Sequence, residues 1–328
     1  MLETRLTKFF DIDVPIVQAP MAFAAGGALA SAVTNAGGLG FIGGGYGDAT
    51  WLDREFTLAG HAPVGCGFIT WSLANQPELL TRALEKKSKA IFLSFGNPAP
   101  FAPRIKAAGV PLICQVQTLK DAKHAIATGA DIIVAQGAEA GGHGEKRATF
   151  SLVPEVADYI ANAAPEVLLV AAGGIADGRG LAASLMLGAD GVLVGSRFWA
   201  AKEALVHPAA LQAAIAASGD DTIRTSVIDI VRGRAWEERY NCRVLDNQFT
   251  MQWHGNETGL KENSAAHGEW QQAATEGNPA IANGIVGEAV GLIHDVLPAR
   301  DIIAQMVTQA KDSLKRYCVS AAHKPSGF

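Results

Sequence analysis

Between Pro15 and Val194 the chain repeats one pattern: a short β-branched apolar run, then a longer stretch in which apolar residues return every three or four positions. A run of the first kind suits a strand buried on both faces, and a stretch of the second kind suits an amphipathic helix. The runs predict strands at 16–19, 39–42, 64–68, 90–94, 111–115, 131–135, 167–171 and 191–194, with helices such as 28–36, 119–128 and 179–187 between them. Eight strands alternating with helices predict an α/β fold, a closed (β/α)8 TIM barrel. The competing open doubly wound sheet has about five or six strands and announces itself with G-x-G-x-x-G after the first. Here the first strand runs into Gln18-Ala19-Pro20-Met21.

After Ala200 the pattern changes. Residues 202–233 read as helical, 241–277 are polar with little periodicity, and 281–317 read as a last helical stretch. The expected organisation is a barrel over 1–201, an additional mainly helical subdomain over 202–278 lying across the barrel mouth, and a C-terminal helix within 279–328 that returns to the barrel.

With 328 residues, 49% of them apolar, the chain can bury a large core. Its net charge of -5, with Lys and Arg spread along the chain, lacks the clustered basic footprint of a nucleic-acid binder. Cys66, Cys114, Cys242 and Cys318 form no C-x-x-C pair, so neither a disulfide framework nor a metal site is expected. No apolar leader follows Met1-Leu2-Glu3-Thr4-Arg5, and no apolar run is long enough to span a bilayer. A soluble cytoplasmic protein working on small molecules is the expectation.

The glycine-rich segments narrow that expectation, because they follow the sixth, seventh and eighth strands, at the rim where barrel enzymes build their sites. Gly173-Gly174 and Gly195-Ser196 read as a split phosphate cradle, assisted by a helix start near Gly178. Tight βα turns would select the same glycines. Gln136-Gly137-Ala138-Glu139-Ala140-Gly141-Gly142-His143-Gly144 ends in an imidazole able to move a proton near neutral pH. Glu139 is a second acid or base, or a residue that caps the loop. Gln18, Gln115 and Gln136 close the first, fifth and sixth strands, where neutral amides suit the edge of a polar heterocycle, or else satisfy loop backbone. Trp236, Trp253, Trp270 and His254 form a lid or, more simply, the packing of the extra subdomain.

Pro15-Ile16-Val17-Gln18-Ala19-Pro20-Met21, Asn35-Ala36-Gly37-Gly38-Leu39-Gly40, Glu139-Ala140-Gly141-Gly142-His143 and Ala172-Gly173-Gly174-Ile175-Ala176-Asp177-Gly178-Arg179, followed by Gly195-Ser196-Arg197-Phe198 and Gly284-Ile285-Val286-Gly287, occur in that order. Together they resemble the nitronate monooxygenase family, long called 2-nitropropane dioxygenases. The resemblance implies FMN bound non-covalently at the barrel rim. Pro20, Met21 and Ala22 would run along the isoalloxazine, Gly67 and Gln115 would touch its polar edge or ribityl chain, and Gln136 and Gly141 would continue the pocket. Ala172, Gly173, Gly174, Gly195 and Ser196 would hold the phosphate, and His143 matches the catalytic histidine.

The implied reaction is oxidation of propionate 3-nitronate, alkyl nitronates or nitroalkanes with O2, giving carbonyl compounds and nitrite or nitrate, and a homodimer is the candidate assembly. Two departures bear on the substrate mouth: Gly144-Glu145-Lys146-Arg147 replaces the basic residue and glycine that often follow the histidine, and Gln115 stands where some relatives carry lysine. An NAD(P)H-dependent flavin reductase of quinones or enoyl thioesters remains an alternative, as does a non-redox phosphate-binding isomerase or lyase.

Overall fold

Each apolar run becomes a strand because neighbouring strands cover its edges and side chains cover both its faces. The computed structural model describes residues 2–317. Its strands are β1 (Ile16–Gln18), β2 (Phe41–Gly45), β3 (Gly65–Ile69), β4 (Ile91–Ser94), β5 (Leu112–Val116), β6 (Ile132–Gln136), β7 (Gly142–Gly144), β8 (Leu168–Ala172), β9 (Gly191–Val194), β10 (Thr222–Thr225) and β11 (Asn241–Leu245).

Eight of these form one parallel sheet in the order β1-β9-β8-β6-β5-β4-β3-β2. The ring closes between β1 and the segment before β2, where the Gln18 N–H donates to the Leu39 carbonyl (2.9 Å) and the Leu39 N–H to the Ile16 carbonyl (3.0 Å). The expected TIM barrel is therefore observed. Its second strand lies at 41–45 instead of 39–42, because Gly43, Gly44 and Gly45 carry no side chains through which a hydrophobic period can be read.

The two faces alternate residue by residue, as strand geometry requires. Ile132 and Val134 pack inside the ring with Phe41, Phe92, Leu168 and Val170. Ile133 and Ala135 face the shell of helices. Each of the valine, leucine, isoleucine and phenylalanine side chains, taken fully out of water, contributes about 1.5–3 kcal/mol before entropy is counted. The short helix Arg5–Phe10 adds Leu6 and Phe10 to the inner cluster. Leu6 lies against Gly191 at the start of β9, so this helix seals the amino-terminal end of the barrel and leaves the carboxyl end open.

Beyond the barrel, two expectations are corrected. Residues 202–233 are not helical throughout: β10 follows the helix Pro208–Ala216 and pairs antiparallel with β11, which in turn pairs with β7. The alternation of Thr222-Ile223-Arg224-Thr225 supports a strand once a partner exists. The last helix does not begin near 281 but runs Ala299–Tyr317, after Pro298. The intervening Gly284–Gly287 stretch instead lies against the His143 loop, close enough that a side chain on Gly287 would strike the Glu139 carbonyl.

The final helix packs on Gly178–Met186 and Gly27–Asn35. Trp253 and Trp270 are buried with Phe249, Val244 and Cys242 in a separate core. Cys318 lies outside the described residues. No helix among the described residues is long and apolar enough to cross a membrane.

Candidate active site

A cavity of about 350 Å3 opens at the carboxyl ends of the barrel strands. Pro20, Met21, Ala22, Gly67, Gln115, Gln136, Gly141, Ala172, Gly173, Gly174, Gly195 and Ser196 all line it, and so does His143. Residues far apart in sequence meet here because parallel strands deliver every carboxyl end to the same rim.

After β8, Gly173 and Gly174 take φ values of 103° and 73°, a succession that only glycine tolerates easily and that turns backbone N–H groups together. After β9, Gly195 opens the short helix Ser196–Trp199. The Ser196 hydroxyl accepts from the Gly287 N–H at 2.8 Å, which ties the late glycine segment to this turn. The helix start at Gly178, expected to assist, does not: Asp177 caps it, the Gly178 N–H donates to Gln309, and a Cβ on Gly178 would meet the final helix.

The amides divide into two roles. Gln18 is fully buried, accepts from the Phe41 N–H at 3.0 Å and donates to the Ala19 carbonyl, so it supports the barrel closure and does not reach the cavity. Gln136 Oε1 accepts from Gln115 Nε2 (3.0 Å) and from Gln117 Nε2 (2.8 Å), which fixes the orientation of the Gln136 amide. Gln117 was not anticipated, since it lies past the strand end. Glu139 accepts from the Thr149 N–H and hydroxyl, capping the helix Thr149–Ala163, and is thereby occupied as a loop-orienting group.

His143 is held on β7, opposite Cys242 of β11. Its Nε2 lies 2.9 and 3.0 Å from the two carboxylate oxygens of Asp229, and both residues are buried. A carboxylate there only accepts, so Nε2 carries a hydrogen and Nδ1 is the nitrogen left to gain or lose a proton. Trp236 stacks on the imidazole, with ring centroids 3.4 Å apart and planes 9° apart. Its Nε1 donates to the Tyr46 hydroxyl at 3.2 Å. Burial pushes the Tyr46 phenol up to about 12, against the lowering effect of that hydrogen bond. Phe95, itself at a positive φ of 61°, packs edge-on to both rings. Of the four aromatic-segment residues considered as a lid, Trp236 alone lines the cavity.

Asp229 also went unread, although a signal existed: an acid inside the apolar run Val227-Ile228-Asp229-Ile230-Val231 must find a partner. The loop that carries His143 is clamped from outside by two arginines. Arg224 and Arg243 both donate to the Ala138 carbonyl, and Arg243 also pairs with Glu288 at 2.7 Å. Burial and the neighbouring Arg243 charge lower the Arg224 guanidinium to about 10. The buried thiols Cys66 and Cys242 are pushed up by burial and stay protonated. Among the described residues no cluster of His, Cys, Asp and Glu could hold a metal.

Close backbone contact completes the clamp. A Cβ on Gly141 would sit 2.5 Å from both the Gly287 nitrogen and the Val286 carbonyl carbon. Gly141→Ala should therefore displace the loop from the late glycine segment and cost about 1–3 kcal/mol, measured as a lowered Tm. An unchanged Tm would mean that these segments are free to separate.

The fold is a parallel (β/α)8 barrel, and a buried histidine and two glycine turns meet in one cavity at its carboxyl rim. The nitronate monooxygenase family model matches residues 3–60 and 71–309. The nitronate monooxygenase of Neurospora crassa is 34% identical, with 97% of this chain and 95% of that protein covered. That of Metarhizium robertsii is also 34% identical, with 90% of each chain covered. Among solved structures, FabK from Thermotoga maritima superposes with a TM-score of 0.82 at 30% identity, covering 96% of this chain and 98% of that one. The chain belongs to the nitronate monooxygenase family. It is an oxidoreductase, and its reaction is the oxidation of nitronates.

Proposed function

We propose that this chain oxidises propionate 3-nitronate and related alkyl nitronates with O2, using FMN held at the barrel rim, to carbonyl compounds and nitrite or nitrate. The observation that carries the reading is that the Asp229-held imidazole of His143 and the glycine turns at Gly173–Gly174 and Gly195 open into one cavity. The residues suit the cofactor. The turns present backbone N–H groups to a phosphate, and Asn283 in the same wall has a buried Oδ1 with no hydrogen-bond partner among the described residues. When bound, FMN supplies the redox chemistry, taking electrons from substrate and passing them to oxygen.

The chain's own groups do the rest. Gly173, Gly174, Gly195 and Ser196 hold the phosphate, and Pro20, Met21, Ala22, Gly67, Gln115, Gln136 and Gly141 shape the ring and ribityl sites. For a neutral nitroalkane His143 takes the α-proton at Nδ1, and the imidazolium so formed, or one already protonated, donates that N–H to an anionic nitronate. Trp236 and Phe95 cover the imidazole and keep water from it. A cytoplasmic setting accords with Cys66, Cys114 and Cys242 remaining free.

The deciding experiment is an anaerobic spectrum. Purified protein should be yellow, and propionate 3-nitronate should bleach it without NADH. Protein that takes up no FMN would refute the reading, while bleaching by NADH but not by nitronate would assign the chain to the flavin reductases.

A further inference from the structure

Besides the Tyr46 phenol, the cavity wall contains Glu139, His143, His207 and Arg232 as its charged or titratable side chains. Three are engaged. Glu139 caps a helix through Thr149, His143 is bound to Asp229, and His207 Nδ1 accepts from the Ala209 N–H at 3.2 Å. The Arg232 side chain has no hydrogen bond or ion pair among the described residues, and it is the one permanent cation among the residues lining the cavity. Other half-buried or buried arginines are committed: Arg197 pairs with Asp295 at 2.6 Å, and Arg243 with Glu288.

Arg232 is nonetheless not a loose surface chain. It ends the helical turn that carries Asp229, and its guanidinium lies over the buried indole of Trp270, 5.3 Å from the ring centroid. Stacking holds the face of the guanidinium and leaves its N–H edge as donors. Arg232 stands three residues after Asp229, the carboxylate that holds His143, and lines the same cavity as that histidine.

We propose that Arg232 is an anion subsite that selects nitronates bearing a second negative charge, a carboxylate at the far end from the reacting carbon. This rests on the nitronate reading above. A cation among the aromatic walls of Tyr46, Phe95 and Trp236 is screened less than one in bulk water, and a planar guanidinium edge matches a carboxylate in bidentate fashion. The glycine turns already provide for the cofactor phosphate, and His143 provides for the nitronate end. The charge of Arg232 is left for the tail of the substrate.

The test compares wild type with Arg232→Met and Arg232→Lys on propionate 3-nitronate and on the nitronate of 1-nitropropane, at fixed ionic strength. The ratio of the two kcat/KM values should fall about ten- to a hundredfold in the methionine variant, the worth of one charge-assisted hydrogen bond, mostly through KM. The lysine variant should recover part of it. Binding is followed separately by tryptophan fluorescence with 3-nitropropionate and 1-nitropropane, where the preference for the carboxylate should vanish in Arg232→Met.

An unchanged ratio would overturn the proposal. So would weakened FMN binding in Arg232→Met, which would assign the arginine to the cofactor phosphate. If wild type oxidises neither nitronate, the functional reading fails by itself. The fluorescence comparison then decides the subsite: an Arg232-dependent preference for 3-nitropropionate sustains it, and equal binding of the two probes refutes it.

Discussion

Replacing His143 by alanine should lower kcat/KM for a neutral nitroalkane by about 10²- to 10⁴-fold, the usual contribution of a positioned general base. The loss on the corresponding nitronate should be much smaller. The difference follows from the substrates. A nitroalkane must surrender its α-proton before it can be oxidised, whereas a nitronate arrives without it. In the proposed reaction His143 makes that transfer, and its placement suits it: Nε2 is committed to Asp229, Trp236 covers one ring face, and β7 fixes its backbone against β11. The check is steady-state oxygen uptake with nitroethane and with ethyl nitronate, on protein shown to bind FMN as wild type does. Equal losses on both substrates would show that the imidazole serves to bind the anion and not to move the proton.

The barrel was legible because its signal is carried by side chains. Runs such as Ile132-Ile133-Val134-Ala135 are apolar on both faces, and eight of them at βα spacing leave little choice of architecture. The glycine turns were legible for a related reason, since glycine marks backbone conformations that other residues avoid, as Gly173 and Gly174 do. What was not legible depends on partners distant in sequence. Gly142-His143-Gly144 has no strand-forming side chain around the histidine and becomes a strand only because β11 pairs with it. Asp229 and Trp236 reach His143 through that same small sheet, so their roles follow from a pairing that periodicity does not encode. Gln18 shows the opposite case: its position at a strand end suggested a ligand contact, yet the barrel closure uses both ends of its amide.

The second large effect is expected at Asp229. Asp229→Asn should cut nitroalkane turnover about a hundredfold or more, toward the 10⁴-fold loss known when a carboxylate that fixes a catalytic imidazole tautomer becomes an amide. The carboxylate can only accept, so it keeps the hydrogen on Nε2 and, in the neutral imidazole, the lone pair on Nδ1. An amide can turn its NH2 group toward Nε2, which then accepts, and the hydrogen moves to Nδ1 where the base is needed. Asp229→Asn keeps the shape of the side chain, so its Tm should stay near that of wild type. Asp229→Ala instead leaves a buried imidazole N–H without an acceptor and should cost about 1–3 kcal/mol of stability as well. Two readouts separate a tautomer effect from general damage. Nitronate oxidation by Asp229→Asn should fall far less than nitroalkane oxidation. The double variant with His143→Ala should be no slower on the nitroalkane than His143→Ala alone, because Asp229 acts only through the imidazole. Additive losses would mean that Asp229 touches the reaction by another route, and wild-type nitroalkane turnover in Asp229→Asn would mean that the imidazole does not need it.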